Sequence, residues 1–159
     1  MPVTLYNLPG SPPCGFVRCI AKHIGVELKL RNLDLAKKEH LGEEYLKVNP
    51  FHKVPAIDDD GFVVYESIAI AYYLLRKYAP KSELYPDDIK ARTRVDQALA
   101  ALSGTIHPQA AIFYVDCIDH AKYPKLASYY ERMKSELPYF EEIYGPTICH
   151  VKQHWASLQ

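Results

Sequence analysis

Apolar and polar positions change period several times along this chain. Val3 to Tyr6 has strand composition, and Phe16, Val17, Ile20 and Ile24 then fall at helical spacing. Gly25 follows as the left-handed residue that ends such a helix. Glu27 to Leu33 alternates charged with apolar residues, the mark of a half-buried strand. Glu43 to Val48 predicts a short helix closed by Asn49-Pro50. Lys53 to Ile57 and Phe62 to Tyr65 flank Asp58-Asp59-Asp60-Gly61, which predicts a hairpin. Ile70, Tyr73, Leu74 and Tyr78 form a helical stripe, with Ser67 expected near its N-cap. The order β-α-β-α-β-β-α describes an α/β unit: a mixed sheet of four strands with helices on both faces.

The pattern changes after Tyr78. The prolines of Ala79 to Asp87 cannot continue a helix and mark a linker. Val95, Leu99, Leu102 and Ile106 make one helical stripe, opening after Asp87-Asp88 and closing near Pro108. Leu126, Tyr130, Met133 and Leu137 make a second, with Pro124 suited to its first turn. The signals from 110 to 123 are mixed, and 139 to 159 reads as a short helix or tail. Residues 1–81 are therefore expected as one domain and 88–159 as a small all-helical one. Two or three helices make a thin core.

Composition narrows the function classes. Lys plus Arg and Asp plus Glu each number 19 in 159 residues, with no basic block. Neither nucleic acid nor an anionic membrane is then expected as principal partner. Ile68 to Leu75, the longest apolar run, is too short to span a bilayer. The opening Met1-Pro2-Val3-Thr4 shows no secretory signal. Cys14, Cys19, Cys117 and Cys149 are scattered as free thiols of a reducing cytosol would be, so a cytoplasmic location is expected.

Three segments hold candidate chemistry. Leu8-Pro9-Gly10-Ser11-Pro12-Pro13-Cys14 places a hydroxyl where the first strand hands over to a helix. A helix start favours an anion. Ser11 either caps the helix or donates to an anion such as a thiolate brought by a cofactor. Val54-Pro55 is either an ordinary strand-edge proline or a cis proline that offers its neighbouring backbone to an extended peptide. His40, His52 and Lys53 add donors near that edge, or are simply solvated. Glu66 and Ser67 stand at another helix start, able to hold an amine and a carboxylate; a plain cap beside a solvated glutamate is the alternative.

Taken together, Leu8 to Cys14, Asn49-Pro50-x-His52-x-Val54-Pro55 and Asp60-Gly61-Phe62-x-x-x-Glu66-Ser67-x-Ala69-Ile70 resemble a glutathione transferase, most closely the serine-using delta/epsilon group of insects. The resemblance covers residues 3 to about 106 and resumes over about 120 to 145, at Lys122-Tyr123-Pro124 and Tyr130-Glu131-Arg132. It implies a thioredoxin-like N-terminal domain, an all-helical C-terminal domain and a homodimer. It also implies glutathione as co-substrate, small hydrophobic electrophiles as second substrate, a detoxifying conjugation and no metal. By position, Ser11 corresponds to the hydroxyl that stabilises the glutathione thiolate. Val54, before Pro55, corresponds to the residue pairing with the cysteinyl backbone, Glu66 and Ser67 to those holding the γ-glutamyl end. His52, with His40 and Lys53 nearby, matches the groups beside the glycyl carboxylate.

The energies are compatible with that role. Making a thiol of pKa about 8.5 mostly thiolate near pH 7 takes roughly 2.7 kcal/mol. A helix N-terminus offers about 0.3–1 kcal/mol and a hydrogen bond to a charged group about 1.5–3 kcal/mol.

The chain also departs from the pattern. Gly15 and Ile68 stand where relatives commonly carry Arg. The helical half jumps, around Tyr114 to Asp119, from its first helix to its closing segment, which leaves out roughly fifty to seventy residues of a usual domain. That gap implies a truncated all-α C-terminal domain in which Val95, Leu99 and Leu102 face solvent or a partner, and, as the alternative to conjugation, a form that binds glutathione without conjugating. A thiol–disulfide oxidoreductase is a further rival, but Ser11-Pro12-Pro13-Cys14 puts its one thiol in the resolving position. Tyr6 is a second candidate donor to the thiolate, set inside a strand where core packing suits it better. Cys117-x-x-His120 and Cys149-His150-x-x-x-His154 are chance pairs on this reading, and no metal is expected.

Overall fold

The computed structural model describes residues 2–106, Ser135 and Glu142. The second helical stripe, the segment from 110 to 123, the proposed junction and both Cys/His pairs lie outside them. Among the described residues, one compact unit runs to Pro80 and another begins at Lys81.

The first unit is a four-stranded mixed sheet with spatial order β2-β1-β3-β4. Its elements are β1 (Val3–Asn7), α1 (Pro12–His23), β2 (Leu28–Asn32), a 3₁₀ turn (Glu39–Leu41), α2 (Glu43–Leu46), β3 (Ala56–Asp59), β4 (Phe62–Tyr65) and α3 (Ser67–Tyr78). β2 runs parallel to β1, β3 antiparallel to β1, and β4 antiparallel to β3. This is the thioredoxin-like arrangement, and the element order matches the expected one.

Strand alternation divides the core between the two sheet faces. Val3, Leu5 and Ile57 point to one face, where they pack with Val17 and Ala21 of α1 and Ile70 and Leu74 of α3. Tyr6 and Ala56 point to the other, with Leu33 and Tyr45 of α2. α1 ends as the sequence suggests. Gly25 takes φ +74°, its N–H donates to the Lys22 carbonyl and that of Val26 to Ala21, the paired bonds of a left-handed stop.

Three boundaries differ from expectation. β3 begins at Ala56 instead of Lys53, because Pro55 has no N–H and the Lys53 carbonyl is bonded elsewhere, to Tyr45 and Asn49. The hairpin loop is only Asp60-Gly61, both at positive φ, so Asp58 and Asp59 belong to the strand; this is the two-residue turn that matches sheet twist. Ser67 is the first helical residue of α3, not its cap. Glu66 occupies the cap position and makes no side-chain capping bond. β2 is also less covered than its alternation suggests. It is an edge strand, with Leu30 43% exposed.

Asp59 is buried at the hairpin and accepts hydrogen bonds from the Tyr73 and Tyr78 hydroxyls and the Lys77 ammonium, each at 2.7 Å. Burial pushes its pKa up, but these three donors outweigh burial and hold it down at about 2. A carboxylate depressed this way stabilises the fold fully above its unfolded value and loses that contribution as pH falls through the folded one. Because Lys77 is half exposed, solvent screening keeps the contribution to about 1–2 kcal/mol at neutral pH. The urea midpoint is therefore expected to fall between about pH 4 and pH 2, and Asp59→Asn to flatten that fall. An unaltered acid limb in the variant contradicts this role.

In the second unit, α4 spans Ile89–Ala101 and continues as a π-helical turn, Leu102–Ile106. Asp88 caps α4 through the Ala91 N–H at 2.8 Å, as the opening after Asp87-Asp88 predicts. Within the linker Tyr85 is buried, and its hydroxyl donates to Asp96 at 3.0 Å. No residue of α4 is buried; Val95, Leu99 and Leu102 are each half-covered. Among the described residues no helix is long and apolar enough to cross a membrane.

Candidate active site

Sheet register brings the three motifs to one end of the sheet. Tyr6 pairs with Ala56, and Ala56 with Tyr65. The chain leaves β1 there toward Ser11, enters β3 there after Val54-Pro55, and leaves β4 there into Glu66-Ser67. β2 ends there too, since Asn32 pairs with Asn7, and the following segment carries His40. Residues far apart in sequence thus share one edge because strands β1, β3 and β4 alternate in direction.

Ser11 is the N-cap of α1. Its backbone is extended, and its Oγ accepts the Cys14 N–H at 3.4 Å, a long bond. The capping reading of the sequence therefore describes the geometry. Capping uses a lone pair of the oxygen and leaves the O–H hydrogen to donate, and Ser11 is half-buried. The first turn offers little else. Pro12 and Pro13 have no N–H, the Cys14 N–H is given to Ser11 Oγ, and the Gly15 N–H to the Ser11 carbonyl at 2.9 Å. The unpaired N–H groups expected at this helix start are absent, because two prolines occupy its first positions.

Cys14 is 1% exposed. Burial pushes its thiol up, opposed in part by the Ser11 hydroxyl beside it. A buried, protonated thiol is a poor nucleophile, which weighs against the disulfide-exchange reading. Tyr6 is buried too, its ring 5.4 Å from that of Tyr45 and beneath the Arg31 guanidinium at 5.2 Å. Its surroundings are those of a packing residue.

The Val54–Pro55 bond is cis. Pro55 is buried, Val54 half-buried, and His52 and Lys53 exposed. His52 sits at φ +59°, with its N–H on the Asn49 carbonyl at 3.1 Å. His40 lies in the 3₁₀ turn, with Nδ1 enclosed and without a hydrogen-bond partner among the described residues. Glu66 is exposed and held at φ +69°, ψ +115°, a conformation that costs a non-glycine residue about 1–3 kcal/mol and clusters at functional sites. Ser67 is half-buried, and its hydroxyl makes no hydrogen bond among the described residues.

Two further residues shape this edge. The Tyr45 hydroxyl and the Asn49 Nδ2 both donate to the Lys53 carbonyl, at 2.6 and 2.8 Å. Burial drives the Tyr45 phenol pKa up, so it stays a donor. In the sequence Asn49 stands out as a helix stop and as the head of the Asn49-Pro50-x-His52 motif, whereas Tyr45 belongs to no motif. Their spacing of four residues was the available signal, since it places them on one side of a helical turn.

Comparison with known proteins agrees with this fold. Residues 1–76 match the glutathione S-transferase N-terminal domain. The chain is 40% identical to glutathione S-transferase D7 of Anopheles gambiae over 133 residues, which cover 80% of this chain and 61% of that protein. It thus spans about three-fifths of that curated relative. Among solved structures, a delta-class glutathione transferase of Nilaparvata lugens superposes with a TM-score of 0.84 at 28% identity, covering 99% of this chain and 100% of that one. A serine-to-cysteine variant of poplar glutathione transferase F1 superposes with a TM-score of 0.67 at 30% identity, covering 84% of this chain and 69% of that one. With its fold, its motifs and these relatives in agreement, the chain belongs to the glutathione transferase family and is delta/epsilon-like.

Proposed function

We propose that this protein binds glutathione along the sheet end described above and joins its thiolate to small hydrophobic electrophiles, a detoxifying conjugation carried out in the cytoplasm. The observation that carries the reading is the first turn of α1. Its backbone donors are missing or used, so the Ser11 O–H is the group left there to face an incoming sulfur. The helix dipole contributes about 0.3–1 kcal/mol. The larger part of the roughly 2.7 kcal/mol needed to ionise the thiol near pH 7 then falls to the Ser11 hydrogen bond, within the range of about 1.5–3 kcal/mol for a charged acceptor.

The remaining residues bind and orient. Val54 offers backbone to the cysteinyl residue, and the edge before Pro55 suits an extended peptide. Ser67, with its hydroxyl uncommitted, and Glu66 face the γ-glutamyl end, its carboxylate and its amine. His52, His40 and Lys53 supply donors or positive charge for the glycyl carboxylate. The thiolate attacks an electrophilic carbon and a C–S bond forms. A leaving group departs with its electron pair in substitution; in addition, the carbon framework takes up a proton.

A homodimer fits a groove of about 440 Å³ between β4 and α3, lined by Phe62, Tyr72, Tyr73 and Arg76 among others. Phe62 is 56% exposed there and its ring lies tilted against that of Tyr73, with centroids 5.2 Å apart, an aromatic surface of the kind that subunits cover.

Retention on immobilised glutathione, measured together with turnover of a chlorinated nitroaromatic, tests the reading. Both are expected. Retention without turnover favours the non-conjugating alternative, and loss of both overturns the proposal.

A further inference from the structure

We infer that Tyr45 and Asn49 are positioning residues: by holding the Lys53 carbonyl they aim the Val54 N–H outward, toward the backbone of the bound peptide. The inference rests on the glutathione reading above and assigns part of the recognition to two buried side chains that need not touch glutathione.

The Lys53 carbonyl and the Val54 N–H belong to one peptide unit. That unit is trans, since the one cis bond among the described residues is Val54–Pro55. In a planar trans peptide the carbonyl and the N–H point in opposite directions. Fixing one therefore fixes the other. The Lys53 oxygen takes two donors, the Tyr45 hydroxyl at 2.6 Å and Asn49 Nδ2 at 2.8 Å, which occupies both of its lone pairs. The Val54 N–H thus faces away from Tyr45 and Asn49, and it has no hydrogen bond among the described residues.

The clamp is itself held firmly. Tyr45 is 4% and Asn49 1% exposed. The Asn49 N–H is bonded to the Tyr45 carbonyl at 2.9 Å, its Oδ1 accepts the Phe51 N–H at 3.0 Å, and its own carbonyl accepts the His52 N–H at 3.1 Å. Segment 49–53 is thereby closed on Asn49 as a ring of hydrogen bonds. Tyr45 ties that ring to the core through its contact with Tyr6. A structural asparagine alone would satisfy a loop. Two donors on the one carbonyl that sets the direction of Val54 point to orientation of the binding edge.

Tyr45→Phe keeps the ring and removes one donor. In the full chain, calorimetry is expected to show glutathione binding about five- to tenfold weaker, with kcat at saturating glutathione nearly unchanged and KM for glutathione raised to match. In the wild-type protein the Val54 amide is expected to exchange rapidly with solvent and to slow when glutathione is added. That second measurement decides the matter if the variant does not fold. Wild-type binding matched by Tyr45→Phe overturns the inference alone, as does a Val54 amide unaffected by saturating glutathione. Failure of the wild-type protein to bind glutathione removes the reading beneath it.

Discussion

Ser11→Ala is expected to lower kcat/KM for conjugation by about a hundredfold, the loss of one hydrogen bond to a charged acceptor, while glutathione affinity changes little. The asymmetry follows from where the hydroxyl acts. On the proposed reading it stabilises the ionised sulfur, whereas most of the tripeptide is held by the Val54 edge and the ends near Glu66 and His52. No neighbouring N–H can substitute, because Pro12 and Pro13 lack one and those of Cys14 and Gly15 are bonded within the turn. The pH profile of kcat/KM should move upward in step, as a thiol deprived of its donor ionises later. Steady-state kinetics with matched calorimetry reads both quantities. The variant also loses its cap, which costs up to about 1 kcal/mol of stability and is less here because the bond is long at 3.4 Å. Thermal melting separates that small loss from the catalytic one.

The second large effect concerns stability. Leu74 is fully buried where α3 meets the sheet, in one cluster with Val3, Leu5, Val17, Ala21, Ile57 and Ile70. Leu74→Ala is expected to cost about 2–5 kcal/mol, through lost burial plus the cavity left behind. A unit of this size has little stability in reserve, so the urea midpoint should fall sharply. The proposed binding edge lies at the sheet end and not at Leu74. Under conditions where the variant remains folded, glutathione affinity should therefore match that of the wild type. A small shift in midpoint would show that α3 is not fixed through this cluster.

Periodicity made the sheet unit readable because most of its elements bury one face, the edge strand β2 excepted. Phe62 to Tyr65 and the Gly25 stop fall where the sequence places them, and each depends on local chemistry alone. The misplaced boundaries depend on distant partners. β3 starts late because Tyr45 and Asn49 take the Lys53 carbonyl, an interaction that period-2 alternation does not reveal. Asp58 and Asp59 resemble loop residues until Asp60-Gly61 is seen to make the turn alone. Ser67 looks like a cap by residue type, yet the strained Glu66 takes that place.

The site shows the same division. Ser11, Val54-Pro55 and Glu66-Ser67 stand out as motifs, and their convergence follows from strand register. The two prolines that empty the first turn of donors were visible in the sequence. Their consequence depends on where the Cys14 and Gly15 N–H groups go, and both go to Ser11. Tyr45 carried no motif at all.

The most direct measurement is the ionisation of bound glutathione, followed by thiolate ultraviolet absorbance as pH is raised, in the wild-type protein and in Ser11→Ala. On the wild type the bound thiol should titrate about two units below the ordinary value of about 8.5, and on the variant most of that displacement should vanish. Identical titrations in the two proteins, or an ordinary thiol on the wild type, would contradict the role given to Ser11.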